Sequence, residues 1–298
     1  MKSSNKNPNR KSAFTIVELL TIMSIIVILF SLLVPSLGLA RKYAKKVKQK
    51  NQFRSISIGL ELFRTEEDGY PESTVLGTAA FTTGAHHLAE ALVGRDLQGF
   101  DPVSSWDAAD DATSNPLAYA TAPPAEALAS LNRRKGPFLQ LENIGVFQIE
   151  DLYGNTGTVY DGNDPPAPVL TDVYRVKKVS ISATKTLKAG APILYYKADT
   201  ASNIFKDLAY TTDKWIFNSE DNQDLIELGQ MMDQTQMHYF DPAYTDGILN
   251  GTELFYEAIT NLQVRNIDRP FNRDSYILLS AGFDGIYGTD DDVFNFGD

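Results

Sequence analysis

The sequence contains no cysteine and only three histidines, His86, His87 and His238. The first absence removes disulfides, thiol nucleophiles and cysteine-rich zinc or iron–sulfur sites, and the second leaves histidine-based metal or triad chemistry poorly supplied. There is no GxSxG elbow, no glycine-rich phosphate loop ending in Lys-Ser/Thr and no HExxH helix. Basic charge is also short: 27 Lys and Arg face 38 Asp and Glu, for a net charge of −11, which argues against a nucleic-acid partner. Apolar residues are not short. They make up 43% of the 298 residues, enough to fold around a core.

The average charge conceals a division. Residues 1–54 hold eleven Lys and Arg against one acid, Glu18, whereas the other 244 residues hold sixteen against thirty-seven, so the two parts carry +10 and −21. Such asymmetry marks a targeting, membrane or assembly segment. From Phe14 to Ala40 the chain reads FTIVELLTIMSIIVILFSLLVPSLGLA, with one ionisable side chain in 27 residues. As a helix this is roughly 40 Å long, more than the ~30 Å of a bilayer's hydrocarbon core. A cleaved signal peptide is one reading, with Gly38-Leu39-Ala40 as a small-x-small site. Its apolar region, 16 residues from Leu19 to Val34, exceeds the about 7–15 of such signals. A plain signal anchor is another, but it leaves Glu18 unexplained, because a carboxylate in a membrane segment is costly and is usually kept for a partner.

Lys11-Ser12-Ala13 followed by Phe14-Thr15-Ile16-Val17-Glu18-Leu19-Leu20 resembles the processing site of type IV prepilins and type II secretion pseudopilins. The resemblance implies cleavage by a prepilin peptidase between Ala13 and Phe14 and methylation of the new Phe14 amine. It also implies an assembly role for Glu18, whose carboxylate would neutralise a neighbouring subunit's terminal amine so that neither charge stays unpaired in lipid. The family prefers Gly where Ala13 stands. Pro35 matches a proline often found in the family's anchors, and an interior proline predicts a kink or local melt. Four basic residues precede the span and seven follow it, which taken alone favours an inverted topology. The processing enzyme's need for a cytoplasmic leader outranks that count.

Beyond Pro35 the residues predict one long helix over roughly 14–66, with Val47, Phe53 or the Arg54 stem, Ile56, Ile58, Leu60 and Phe63 offering a packing face. Asp68-Gly69-Tyr70-Pro71 stops it. Short helices are predicted at 85–94 and 125–132, weak ones at 225–229 and 253–260, and strands at 146–150, 173–182, 192–197 and 276–280. Residues 99–124 read as a surface loop, and His86-His87 as solvated or core-edge side chains that diverge rather than share a metal. Asp151-Leu152-Tyr153-Gly154-Asn155 and Tyr195-Tyr196 resemble pieces of a pseudopilin sheet region. The first is equally a tight turn, and the tyrosine pair equally a half-buried strand. Asn250-Gly251-Thr252 matches a glycosylation sequon by chance, and no carboxylate pair stands out as catalytic.

The carboxyl terminus is more informative. Residues 282–292 pack four Asp and three Gly into eleven positions after a predicted strand. Hard oxygen ligands on a sharply turning backbone suit Ca²⁺, although the spacing is not that of an EF-hand. The run is similar to the closing calcium loop of the major pseudopilin, which implies Asp284, Asp290 and Asp292 as carboxylate ligands, Asp291 as an alternative, and carbonyls near Leu279 and Tyr287. With no cysteine for a disulfide, an ion would clip the chain end in its place.

Together these readings predict an α+β, pilin-like fold: a long N-terminal helix on an antiparallel sheet, with a large inserted region and a C-terminal calcium loop. Residues 1–13 would be leader, 14–40 the transmembrane and assembly helix, 41–71 its amphipathic continuation and 72–298 a periplasmic head. The expected role is a non-enzymatic filament subunit held in the bacterial inner membrane and assembled into a pseudopilus. Its partners would be copies of itself, other pseudopilins, the prepilin peptidase, an inner-membrane assembly platform and membrane lipid. A membrane-anchored calcium-dependent binding module or adhesin is the alternative, and a secreted enzyme released after Ala40 a third.

Overall fold

The computed structural model describes residues 15–74, 82–108, 115, 117–121, 123–141, 144–154, 168–182, 184–206, 211 and 214–297. Ala13, Phe14 and Asn155 lie outside these residues. The chain divides into two units, Met1–Ala44 and Lys45–Asp298. Helix α1 runs from Ile16 to Glu67, within two residues of the expectation at either end.

In the first unit, every described side chain is exposed. The helix there is long and apolar enough, by length and composition, to cross a membrane. Thr15 and Glu18 form a reciprocal cap: Glu18 Oε2 accepts from the Thr15 amide at 2.9 Å and its hydroxyl at 2.8 Å, while the Glu18 amide donates to Thr15 Oγ1 at 3.2 Å. Such a box satisfies donors that a helix start otherwise leaves unpaired. The helix is unbroken at Pro35, so the expected local melt is absent. One proline removes a single i→i−4 bond, and the turns on either side keep theirs.

In the second unit α1 buries Gln49, Gln52, Phe53, Ile56, Gly59, Leu60 and Phe63. Val47, Arg54 and Ile58, which the residue spacing also admits to the packing face, are exposed. The 3.6-residue period leaves them off the stripe that 49, 52/53, 56, 59/60 and 63 trace. Asp68, in the left-handed region at φ 58°, ends the helix.

Three small antiparallel sheets follow: β1 (Gly145–Gln148) with β2 (Pro168–Thr171), β3 (Lys177–Ser182) with β4 (Lys185–Ala189), and β5 (Leu194–Lys197), β6 (Tyr276–Ser280) and β7 (Val293–Phe294) in that order. Ile193 donates to Leu170 at 2.8 Å and Asp172 to Ala191 at 2.9 Å, joining the end of β2 to the approach to β5. Because side chains alternate along a strand, Ile193, Tyr195, Tyr276 and Leu278 pack with Phe53, Ile56 and Leu60 of α1. Leu194, Tyr196, Ile277 and Leu279 join a second core with Phe217, Phe255 and Tyr256. The sheet is therefore covered on both faces. That is why its strands read as continuous apolar runs, and why Tyr195 and Tyr196 are fully buried rather than half-buried.

The shorter helices are α2 (Gly84–Val93), α3 (Pro124–Arg133), α4 (Ile149–Tyr153), α5 (Gln223–Ile226) and α6 (Gly251–Ile259). The strand expected over 146–150 gives way to α4 at Ile149, and Asp151–Gly154 is that helix's end, with Gly154 at φ 78°. The strand expected over 173–182 begins only at Lys177. His86 and His87 are buried, not at the edge. His86 completes a cap with Thr83, and the ring nitrogens of His87 lie 2.6 and 2.9 Å from the Glu72 and Trp106 carbonyls.

The described part of the 99–124 loop is likewise tied down. Phe100 and Trp106 pack on Phe63, and the buried Asp101 carboxylate accepts from Arg133 Nε at 2.6 Å and Ser130 Oγ at 2.8 Å.

Candidate functional site

Strands β6 and β7 hold the acidic loop between them. Two of its glycines are required by geometry: Gly282 has φ 67° and a Cβ there would lie 2.2 Å from the Asp291 carbonyl, and at Gly288, with φ 100°, 2.6 Å from Tyr239 Cβ. Asp291 is the loop's internal brace. Its Oδ2 accepts the amides of Phe283 at 2.7 Å and Asp284 at 3.1 Å, and its Oδ1 the Thr289 hydroxyl at 2.6 Å. Asp284 Oδ1 accepts the Ile286 amide at 2.8 Å, and Asp292 Oδ2 the Gly288 amide at 2.8 Å.

The carboxylates of Asp284, Asp291 and Asp292 interact with one another, and Asp290 is exposed. Tyr287 is buried: its Oη donates to the Pro192 carbonyl at 2.5 Å, its amide to His238 Nδ1 at 3.1 Å, and its carbonyl accepts from Tyr239 at 2.9 Å. His238 in turn points Nε2 at the Gly229 carbonyl, 3.1 Å away, so a neutral imidazole ties the loop to a neighbouring turn. Burial lowers its pKa to about 4 and keeps it neutral. Leu279 stands apart from the other candidates. Asn295 donates to Leu278 on the β7 side and Ala198 to Ser275 on the β5 side, so ladder alternation turns the Leu279 carbonyl toward Leu194 of β5.

Burial, followed by repulsion from Asp284 and Asp291, holds the Asp292 carboxyl well above its usual range. Burial and the charge of Asp291 also raise Asp284. Asp292 Oδ1 is shut off from water and has no hydrogen-bond partner. A buried carboxylate oxygen without a donor is a costly arrangement that a cation relieves. The donor set of hard carboxylates and carbonyls fits Ca²⁺. Among the described residues no group of three or more acidic or histidine side chains is already arranged around a metal-sized point.

Two further carboxyls are buried away from the loop. Asp172 accepts from Tyr174 N at 3.0 Å and Ser280 Oγ at 2.9 Å, and Asp221 accepts from the Ser73 hydroxyl. Burial pushes each up to about 7. Sequence reasoning could not pick these two out from the other acids, since nothing local distinguishes them. Asn250 of the sequon is the N-cap of α6, its side chain accepting from the Glu253 amide at 3.0 Å.

Comparison of the chain with models of protein families, with curated proteins and with solved structures finds no match.

Proposed function

We propose that this chain is a pilin-like structural subunit, a pseudopilin of a type II secretion system or related filament, rather than an enzyme. In this reading prepilin peptidase cuts before Phe14, the amine of Phe14 is methylated, and the segment from Phe14 to Ala40 anchors the subunit in the bacterial inner membrane. The head then stands in the periplasm. The observation that carries the reading is the two-part character of α1: exposed and apolar up to Ala40, then buried along one stripe from Gln49 to Phe63. Apolar side chains left exposed along the first part of such a helix are a surface that lipid or other helices would cover.

Glu18 has two tasks in this proposal. Within one chain it caps its own helix through Oε2, and in a filament its other oxygen meets a neighbour's terminal amine. Calcium is proposed at the C-terminal loop, held by Asp284, Asp291 and Asp292 with Asp290 nearby. The Tyr287 carbonyl, which keeps one free lone pair, is a further ligand, and the Leu279 carbonyl a weaker one given its direction. The ion would neutralise the crowded carboxylates and fasten the chain end.

Sequencing the mature amino terminus tests the processing step. A methylated Phe14 is expected, whereas a terminus at Arg41 overturns the proposal in favour of secretion. Glu18→Ala is expected to abolish filament incorporation while leaving membrane insertion intact. Normal assembly of that variant refutes the role given to Glu18.

A further inference from the structure

The head is strongly acidic as a whole, yet residues 173–198 contain six bases and no acid. Residues in and beside that run meet α1 around a cleft of about 200 Å³, walled by Lys48 and Gln52 of the helix, Thr171 at the end of β2, Asp172 after it, Arg175, and Lys188 of β4. Lys48, Arg175 and Lys188 make no ion pair with a described residue. Asp172, the one acid in the wall, makes no ion pair with them, and its two oxygens accept from Tyr174 and Ser280.

The arrangement is costly for an empty surface. Lys188 lies directly across the ladder from Lys178, a like-charge pairing that weakens a hairpin. Arg175 is held at φ 57°, a left-handed conformation unfavourable for an arginine.

Gln52 supplies an independent sign of a ligand. It is only 6% exposed, and its Nε2 donates to the Thr171 carbonyl at 2.8 Å, which fixes the orientation of the amide. Its Oε1 is then an acceptor shut off from water with no partner. A buried amide oxygen in a polar cleft is left in need of a donor. The walls thus present three cationic groups for an anion and one acceptor for a hydroxyl or ammonium hydrogen. The volume is below that of drug-sized pockets, so the ligand is small or is one end of something larger.

We infer that this cleft binds a phosphate ester with a neighbouring hydrogen-bond donor. Lys48, Arg175 and Lys188 hold the phosphate, and Gln52 Oε1 accepts from the adjoining hydroxyl or ammonium group. The inference rests on residues of the second unit alone and stands apart from the pseudopilin and calcium readings. Two sources offer this chemistry: a soluble phosphate ester, or the headgroup of an anionic phospholipid such as phosphatidylglycerol.

The test uses the full chain in phosphatidylcholine nanodiscs, whose choline headgroup has no N–H to donate. Glycerol 3-phosphate is titrated calorimetrically, with inorganic phosphate as the second probe. Saturable binding of glycerol 3-phosphate is expected, tighter than that of inorganic phosphate, and weakened about tenfold or more by Arg175→Gln with Lys188→Gln. Both positions are exposed or on an exposed strand, so this variant keeps the core. Gln52→Met is expected to erase the preference for glycerol 3-phosphate over inorganic phosphate. Repeating the titration in discs containing phosphatidylglycerol separates the sources: competition assigns a lipid headgroup, and unchanged binding a soluble ester. Absence of saturable binding to either probe and to phosphatidylglycerol, or equal binding by wild type and the double variant, overturns the site. Equal affinity of the wild type for both soluble probes overturns the role of Gln52.

Discussion

The buried carboxyl of Asp172 makes the stability of the head depend on pH in an unusual direction. Burial lifts its pKa from an ordinary 3.8 to about 7, against the hydrogen bonds from Ser280 and Tyr174, which lower it. A carboxyl whose pKa is raised on folding adds stability that is complete below its unfolded pKa and is lost as the pH climbs through the folded value. For Asp172 the window is therefore between about pH 4 and pH 7, and the full span corresponds to about 4 kcal/mol at ~1.4 kcal/mol per pH unit.

Asp172→Asn removes the charge and preserves the shape. The amide oxygen still accepts from Tyr174, and the Ser280 hydroxyl turns to accept from the new NH₂ group. The variant is expected to match the wild type near pH 4 and to exceed it by about 2–4 kcal/mol near pH 8. Urea unfolding of the full chain in detergent micelles, followed by head-group tyrosine and tryptophan fluorescence across that range, measures the difference. A gap of the same size at both ends of the range, or a variant less stable at pH 8, would refute the reasoning. Asp221→Asn serves as an independent replicate, since its carboxyl is raised to about 7 for the same reason.

The remaining predictions concern the seam, the loop and the polar anchor. Leu60→Ala leaves a cavity where α1 meets the sheet and is expected to cost about 2–5 kcal/mol in the same unfolding assay, with no effect on membrane insertion. Calcium at about 100 times its dissociation constant is expected to stabilise the head by ~2.7 kcal/mol, more at pH 8 than at pH 5 because protonation of Asp284 and Asp292 opposes the ion. A melt unchanged by EDTA, or a response that survives Asp284→Asn with Asp292→Asn, removes the calcium proposal. Asp101→Ala strips the carboxylate from Arg133 and one of two from the nearly buried Arg134, which keeps Asp96, and is expected to cost about 3–5 kcal/mol and to expose residues 101–108 to protease.

What could be read directly from the chain was local. Helix α1 is legible because its signals, an apolar run, a spaced apolar stripe and an Asp-Gly stop, are contiguous over some fifty residues. The turns of the acidic loop are legible in the same way, since Gly282 and Gly288 occupy backbone conformations that other residues avoid. Periodicity misjudged the helix's buried face because it rewards apolar residues, and two of the positions that seat the helix are glutamines. Gln49 and Gln52 are bonded to backbone groups near residue 172, more than a hundred positions away.

The carboxylates show the same limit. Asp172 and Asp221 look like any of the other acids until Ser280 and Ser73, far along the chain, close over them. Tyr195 and Tyr196 are both buried only because α1 covers one face of the sheet and α6 the other. The amino-acid sequence by itself determined the long helix, the acidic turn and the charge division. Burial decided which charges and amides are left in need of a partner, and burial comes from contacts between distant segments that only the tertiary structure brings together.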